Sequence, residues 1–382
     1  MVKKLVLQMD CVEDDFKKPV SSKDAAELLL LNNELLKIVT SYKDKITEYY
    51  KNRSWDKYKK ISNEYEHIFY SPNAHGNISL YNPVSRSFFK LWEILYDYED
   101  VLHVKSSPFM KCVFLAEGPG GFFEAFHKRR TSCMPDNKDM YYGITLRSNN
   151  NRNVPDWKTQ KSLPITISYG KDGTGNLYNI DNITHFAENV VGKNSCDFIT
   201  ADGGFDFSSD FNNQEDQSMR LIASEVLACL LLQKKGGNFL LKLYDCFCES
   251  TIIILHILSN NYRSLHFIKP LTSRPANSER YLLCVDFHGS MNDQDVSVLE
   301  NIIAQKPDIG HAAPDINTLY NVVIYNLYYT IRQVHYIQRT INYINFFKKQ
   351  SEDTVMNSIL EKHINKSRKW CVKYDIPVKD LL

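Results

Sequence analysis

The sequence predicts a doubly wound α/β protein, with a mostly parallel seven-stranded sheet at its centre and helical extensions at both ends. Three observations carry that reading. From about residue 83 to residue 289, short apolar runs alternate with helical stretches, the order that lays crossover helices on a parallel sheet. Most of the glycines fall in this middle part, several directly after apolar runs, where open sheets of this kind hold their ligands. On either side, apolar residues recur at three- and four-residue spacing, as on the buried face of a helix.

The helical pattern begins at Ser22 and runs to about Phe69. Leu28, Leu31, Leu35 and Ile38 share one face, and Ile46 and Tyr49 continue it in a second segment with no glycine between. Residues 1–80 are therefore expected to form a helical N-terminal extension. Within the α/β part, residues 81–290, seven runs read as strands: 112–116, 141–145, 164–168, 197–201, 239–243, 264–268 and 281–285. A proline- and glycine-containing stretch at 307–314 then gives way to helical patterns over 320–347 and 353–370, within a C-terminal extension of 291–382. No internal repeat or low-complexity tract interrupts this plan.

Composition narrows the class. With 382 residues, 43% of them hydrophobic, the chain can bury one large core or two moderate ones. Its longest apolar stretches, 226–232 and 251–258, are too short to span a bilayer. Met1-Val2-Lys3-Lys4-Leu5 opens too short an apolar run for a signal peptide, so a soluble intracellular protein is expected. Nine cysteines are scattered without a Cys-x-x-Cys pair, which points to reduced thiols and no zinc site. A net charge of +1 leaves any case for nucleic-acid binding to local basic patches.

Three short segments carry chemistry. Glu117-Gly118-Pro119-Gly120-Gly121-Phe122 closes the first of the seven strands. A dinucleotide fingerprint would need a third glycine where Phe123 stands, which disfavours a nicotinamide enzyme. The glycines instead let backbone close on a nucleoside with an amino-acid tail, a description that S-adenosylmethionine fits; a plain strand-to-helix turn has the same composition. Asp202, followed by Gly203 and Gly204, ends another apolar strand, so its carboxylate can face the cleft or merely form a turn. Lys242 interrupts the strand 239–243, and a lysine there is either paired and used or snorkels to water from an edge.

Taken together, these segments resemble the FtsJ-like (RrmJ-type) ribose 2'-O-methyltransferases, and among them the enzymes specific for mRNA caps. The resemblance runs from Ser85-Arg86-Ser87-Phe88-Phe89-Lys90, through the glycine loop and Thr200-Ala201-Asp202-Gly203-Gly204-Phe205, to Leu240-Leu241-Lys242. Its most specific part is Lys269-Pro270-Leu271-Thr272-Ser273-Arg274-Pro275-Ala276-Asn277-Ser278-Glu279-Arg280-Tyr281, and the tail Lys369–Pro377 is similar to the closing helix of cellular cap enzymes. The resemblance implies a Rossmann-like methyltransferase fold, S-adenosylmethionine as cofactor, no metal, and a Lys-Asp-Lys-Glu tetrad filled by Lys90, Asp202, Lys242 and Glu279. A ribose hydroxyl must lose its proton as it attacks the sulfonium methyl, and a lysine can accept it only when neutral. A second lysine and partial desolvation both favour the neutral form. Lys242 is thus expected as the base with Lys90 close by, and Asp202 and Glu279 as the groups that orient the amines.

The same resemblance implies cofactor contacts from Glu117, Gly118, Pro119, Gly120, Gly121, Phe122, Thr145, Asp172 and Asp202. RNA contacts are expected from Arg86, Arg274, Asn277, Ser278 and Arg280, since between Tyr262 and Arg280 the basic residues Arg263, Lys269, Arg274 and Arg280 stand against the single acid Glu279 and can neutralise phosphates beside the tetrad. One departure from many methyltransferases stands out: Thr145-Leu146-Arg147 ends the second strand without an acid for the cofactor ribose. Lys128-Arg129-Arg130, with Arg147, Arg152 and Lys158, forms further basic stretches. The implied activity is methylation of the first transcribed nucleotide of capped mRNA, cap 0 to cap 1. Two alternatives stay open, a methyltransferase of ribosomal or transfer RNA and a non-catalytic subunit that binds cofactor or RNA in a capping complex. Capped mRNA, other capping enzymes and RNA polymerase are the expected partners, with no membrane. Frequent Lys, Asn, Ile and Tyr suit the AT-rich genome of a large DNA virus or a protist, with action in the nucleus, the host cytoplasm or the virion.

Overall fold

The computed structural model describes residues 7–10, 22–50, 53–69, 77–148, 154–158, 163–205, 207, 210–289, 291–306, 308, 314–349 and 353–379. Ahead of the seven expected strands stands one more, β1 (Leu7–Asp10). The seven are β2 (Lys111–Leu115), β3 (Met140–Ile144), β4 (Ile165–Ser168), β5 (Cys196–Ala201), β6 (Gln233–Leu243), β7 (Tyr262–Ile268) and β8 (Arg280–Phe287). All eight join one sheet in the order β1-β7-β8-β6-β5-β2-β3-β4. Neighbours from β4 through β6 pair in parallel. β8 runs antiparallel to both β6 and β7, and β1 runs antiparallel along β7. β1 adds one short strand to the helical N-terminal extension. Four residues are too few to carry a readable period, and its place is set by pairing with a strand more than 250 positions on, Leu7 opposite Phe267.

Central strands are apolar on both sides because helices cover both faces. On one face, Phe114, Phe198 and Leu240 pack against three helices, α3 (Ser87–Asp97), α5 (Gly121–Cys133) and α11 (Asp353–Lys373). Those helices contribute Phe88, Trp92, Phe126, Trp370 and Tyr374. On the other face, Val113, Ile199 and Leu241 meet α7 (Gln214–Leu232), α8 (Glu249–Asn261), α9 (Asp293–Ile303) and α10 (Ile316–Lys349). The period-two alternation along each strand divides the core in this way. Two further short helices, α4 (Glu99–Leu102) and α6 (Ile180–His185), lie in the connections.

The extensions are packed against the sheet and against one another. α1 (Ser22–Tyr50) lies beside α10, where Asn326 Nδ2 donates to Asn32 Oδ1 at 2.9 Å between two buried side chains. With α2 (Ser54–Ile61), these helices build a third apolar cluster around Ile46, Trp55, Ile337 and Ile341, which also takes in Ala276 of the loop before β8. Beneath that cluster sits a buried ion triad. Asp245, just past β6, accepts from Arg280 Nη2 at 3.0 Å and pairs with Lys43 of α1. Arg280 in turn lies 5.1 and 4.8 Å from the ring centroids of Tyr325 and Tyr329 on α10. Among the described residues no helix is long and apolar enough to cross a membrane.

Although burial alone would raise the carboxyl pKa of Asp245, the two cations outweigh it and hold that pKa below the ordinary value. The stability it supplies is therefore complete above the unfolded carboxyl pKa and is lost as the pH falls through the folded one. Asp245→Asn leaves two buried cations without their counter-charge and is expected to cost about 3–5 kcal/mol at neutral pH. In urea titrations, the gap to wild type is expected to shrink as the pH falls below about 4.

Candidate active site

The carboxyl ends of β2, β5 and β6 converge on one cleft, and the tetrad residues arrive there from four separate elements. Lys90 comes from α3, Asp202 follows β5, Lys242 lies near the end of β6, and Glu279 immediately precedes β8. Two ion pairs join them. Lys90 Nζ meets Glu279 Oε2 at 2.7 Å, and Lys242 Nζ meets Asp202 Oδ1 at 3.3 Å while donating to the Asp202 backbone carbonyl at 2.8 Å. Each side chain in these pairs keeps 10–13% of its surface exposed, enough for a substrate to reach. Tyr281 OH donates to Asp202 Oδ1 at 2.9 Å, and Ser273 Oγ donates to Glu279 Oε1 at 2.8 Å.

A side chain at 204 would crowd the two groups it faces. A Cβ there would lie 2.7 Å from Tyr244 OH and 2.9 Å from Lys242 Nζ. On the cofactor side, β2 ends at Leu115 and Ala116 takes a left-handed φ of 54°. Gly120, at φ 103°, then turns the chain into α5, a conformation in which L-residues are strained. Trp157 packs over this turn, and Lys158 N donates to Pro119 O at 3.0 Å.

A model of the FtsJ-like methyltransferase family matches residues 83–287. This protein belongs to that family. Three curated relatives are cap-specific mRNA (nucleoside-2'-O-)-methyltransferases 1. That of Trypanosoma brucei brucei is 32% identical over 227 residues, covering 57% of this chain and 58% of the relative. That of Dictyostelium discoideum is 30% identical over 289 residues, covering 68% and 37%. The Danio rerio protein is 33% identical over 173 residues, covering 44% and 20%. The chain thus spans three fifths or less of the length of these relatives.

In this FtsJ-like methyltransferase the charge balance of the tetrad differs from the one expected. Burial draws the Lys242 amine toward the neutral form, but Asp202, Tyr244, Glu279 and Glu225 hold it charged and prevail, so its pKa is raised. Lys90 does not act as the expected repulsive neighbour because Glu279 neutralises it directly. Despite burial, Glu279 is held well below the usual carboxylate range by Lys90, Lys242 and Lys269. The lysine that burial does push down is Lys269, whose amine donates to Asn277 O at 2.9 Å and also reaches Asn277 Oδ1 and Glu279 O. Nothing in the spacing of residues around Lys269 marks it for that burial.

Of the expected cofactor residues, Glu117, Gly118, Pro119, Gly120 and Gly121 form the loop itself. Thr145 is buried beside it, its Oγ1 3.4 Å from where a Cβ on Gly118 would stand. The Phe122 side chain turns into the core, its ring centroid 5.6 Å from that of Tyr281. Asp172 organises its own loop: its carboxylate accepts from Thr174 N, Thr174 Oγ1, Asn179 Nδ2 and Asn182 Nδ2 at 2.7–2.9 Å.

The expected RNA residues need more correction. Arg280 is 2% exposed and committed to Asp245, so it cannot meet RNA. Ser278 is buried and donates to Gln214 Oε1 at 2.6 Å. Arg86 pairs with Glu66 at 3.1 Å and donates to Thr272 O at 3.0 Å. Arg274 grips the same Glu66 through Nε and Nη2 at 3.1 and 2.7 Å, yet, with the exposed Asn277, it also borders a pocket of about 120 Å³. Trp55, Phe211, Lys43, Lys59 and Ser278 are also on its walls. Arg147 is exposed, with its guanidinium over Tyr169, and Arg152 lies outside the described residues.

Gly204→Ala would drive a methyl group against the Lys242 amine. We expect methyl transfer to fall by about 10²-fold from that displacement, measured as kcat, with cofactor affinity unchanged.

Proposed function

We propose that this protein methylates the ribose 2'-hydroxyl of the first transcribed nucleotide of capped mRNA, with S-adenosylmethionine as cofactor and Lys242 as the base. The observation that carries this reading is the tetrad: four residues from four elements meet in two ion pairs at the strand ends. The cap-specific names of the relatives support the choice of substrate.

The cleft fits the cofactor on its own chemistry. Glu117 at the glycine loop is 4% exposed and its Oε2 has no hydrogen-bond partner, a costly state for a buried acceptor unless a cationic ligand meets it. Burial, chiefly, pushes the Glu117 carboxyl well above the usual range. In the free chain that carboxyl is therefore neutral, and a positive centre of S-adenosylmethionine between it and Asp202 would favour its ionised form. The glycine loop would hold the amino-acid end, with Thr145 beside it. When bound, the cofactor supplies an electrophilic methyl group and its own leaving group.

The chain's residues supply the rest. Lys242 Nζ holds the 2'-hydroxyl and takes its proton, while Asp202, fixed by Tyr281, keeps that amine in place and stabilises the ammonium it becomes. The Lys90–Glu279 pair forms the opposite side and is steadied by Ser273. In the pocket beside it, Phe211 offers ring surface to the guanine of the cap, and Lys59 and Arg274 border it. An enzyme of mRNA works inside the cell, and other capping enzymes or RNA polymerase are natural neighbours.

Because Lys242 is held charged in the free chain, the rate of methyl transfer is expected to rise with pH through the neutral range, as the neutral amine becomes more abundant. The decisive assay offers radiolabelled cofactor to short RNAs with an N7-methylated cap, an unmethylated cap or a bare triphosphate. Label at the 2'-oxygen of the first nucleotide of capped RNA alone is the expected result, and equal labelling of uncapped RNA would overturn the cap assignment. Lys242→Ala is expected to abolish transfer while calorimetry still registers S-adenosylhomocysteine binding.

A further inference from the structure

Glu225 lies in the middle of α7 with 1% of its surface exposed, between the apolar neighbours Ile222 and Val226. A carboxyl group buried at such a point costs stability unless it is paired or put to use. It has no ion-pair partner among the described residues, and its Oε1 makes no hydrogen bond. It does face the back of the tetrad. The backbone N–H of Gly203 is directed at its carboxyl group. A Cβ on Gly203 would stand 2.3 Å from Oε1, so the bare glycine is what lets the acid come up beneath the turn. That turn carries Asp202, whose backbone carbonyl accepts from Lys242 Nζ at 2.8 Å.

We propose that Glu225 is a positioning residue for methyl transfer: it supports the Asp202–Gly203 turn that holds Lys242, and its charge governs how readily that amine gives up a proton. The inference rests on Lys242 being the base. The titratable groups facing Glu225 are Lys242 from β6, Asp202 after β5, Tyr244 just past β6, Glu117 after β2 and Tyr178 ahead of α6. Burial pushes the Glu225 carboxyl up to about 8, against the pull of Lys242, and Asp202 adds to the rise. Glu225 is therefore neutral at mildly acid pH and charged at alkaline pH, where it strengthens the hold on the Lys242 proton.

The test reads Lys242 directly, without cofactor or RNA. Wild type and Glu225→Gln are labelled with trace acetic anhydride, and acetylation of Lys242 is quantified by mass spectrometry against an exposed lysine as internal standard. Near pH 6 the two proteins are expected to label alike. Near pH 9 the variant is expected to label up to about tenfold faster, since one pKa unit is a factor of ten in neutral amine. Equal labelling at both pH values would overturn the proposal, and so would a difference of the same size at both, which would mark a merely structural change. Glu225→Ala removes the support as well as the charge and is expected to lower kcat with no change in cofactor affinity; loss of cofactor binding instead would count against a positioning role. A protein that labels as expected yet fails to methylate capped RNA would refute the substrate assignment and leave the role of Glu225 standing.

Discussion

Asp245 ties the catalytic sheet to its surroundings. It follows Lys242 by three positions, and its partner Arg280 follows Glu279 by one, so the triad anchors the two strand ends that carry half of the tetrad. Lys43 brings α1 into the same cluster, and the rings of Tyr325 and Tyr329 bring α10. A buried triad of this kind is poor at adding stability compared with apolar packing, yet it tolerates very little displacement of its members. The extensions thereby become part of the frame that fixes the site.

Within that frame the site holds more acid than its lysines need. Lys242 is surrounded by Asp202 and Glu279, joined by Glu225 once that acid ionises, and the sum of their fields keeps it protonated in the free chain. The arrangement suits a reaction whose cofactor arrives positively charged. An additional positive centre, together with loss of water, moves the balance toward the neutral amine at the moment it is needed. A tetrad tuned to a low lysine pKa in the empty state would lack this dependence on occupancy.

How much of this could be read from the chain varies with distance along it. The central strands were legible because a strand buried on both faces reads as an apolar run, as Cys112–Leu115 of β2 and Phe239–Leu241 of β6 do. Lys242 and Asp202 were legible because each departs from such a run. The fate of the arginines was not: Arg280 finds Asp245 35 positions away, and Arg274 finds Glu66 208 positions away, separations at which charge alone does not announce a partner. For the same reason a basic segment beside the tetrad read as a phosphate surface when part of it is interior. Glu225, one of three acids in its helix, carries no pattern that marks it before the helix is placed against the turn.

The shared grip of Glu66 on Arg86 and Arg274 bears on how the protein would respond to salt. Each cation that meets a phosphate releases condensed counterions, and the number of such contacts sets how steeply affinity falls with ionic strength. Arg280 is withdrawn into the interior, and Arg86 and Arg274 already share one buried carboxylate. The loop before β8 therefore has little charge to exchange with RNA. Affinity built on ring surface and shape in the neighbouring pocket, with few displaced ions, would change little across the ionic strengths that strip a purely basic groove from its RNA.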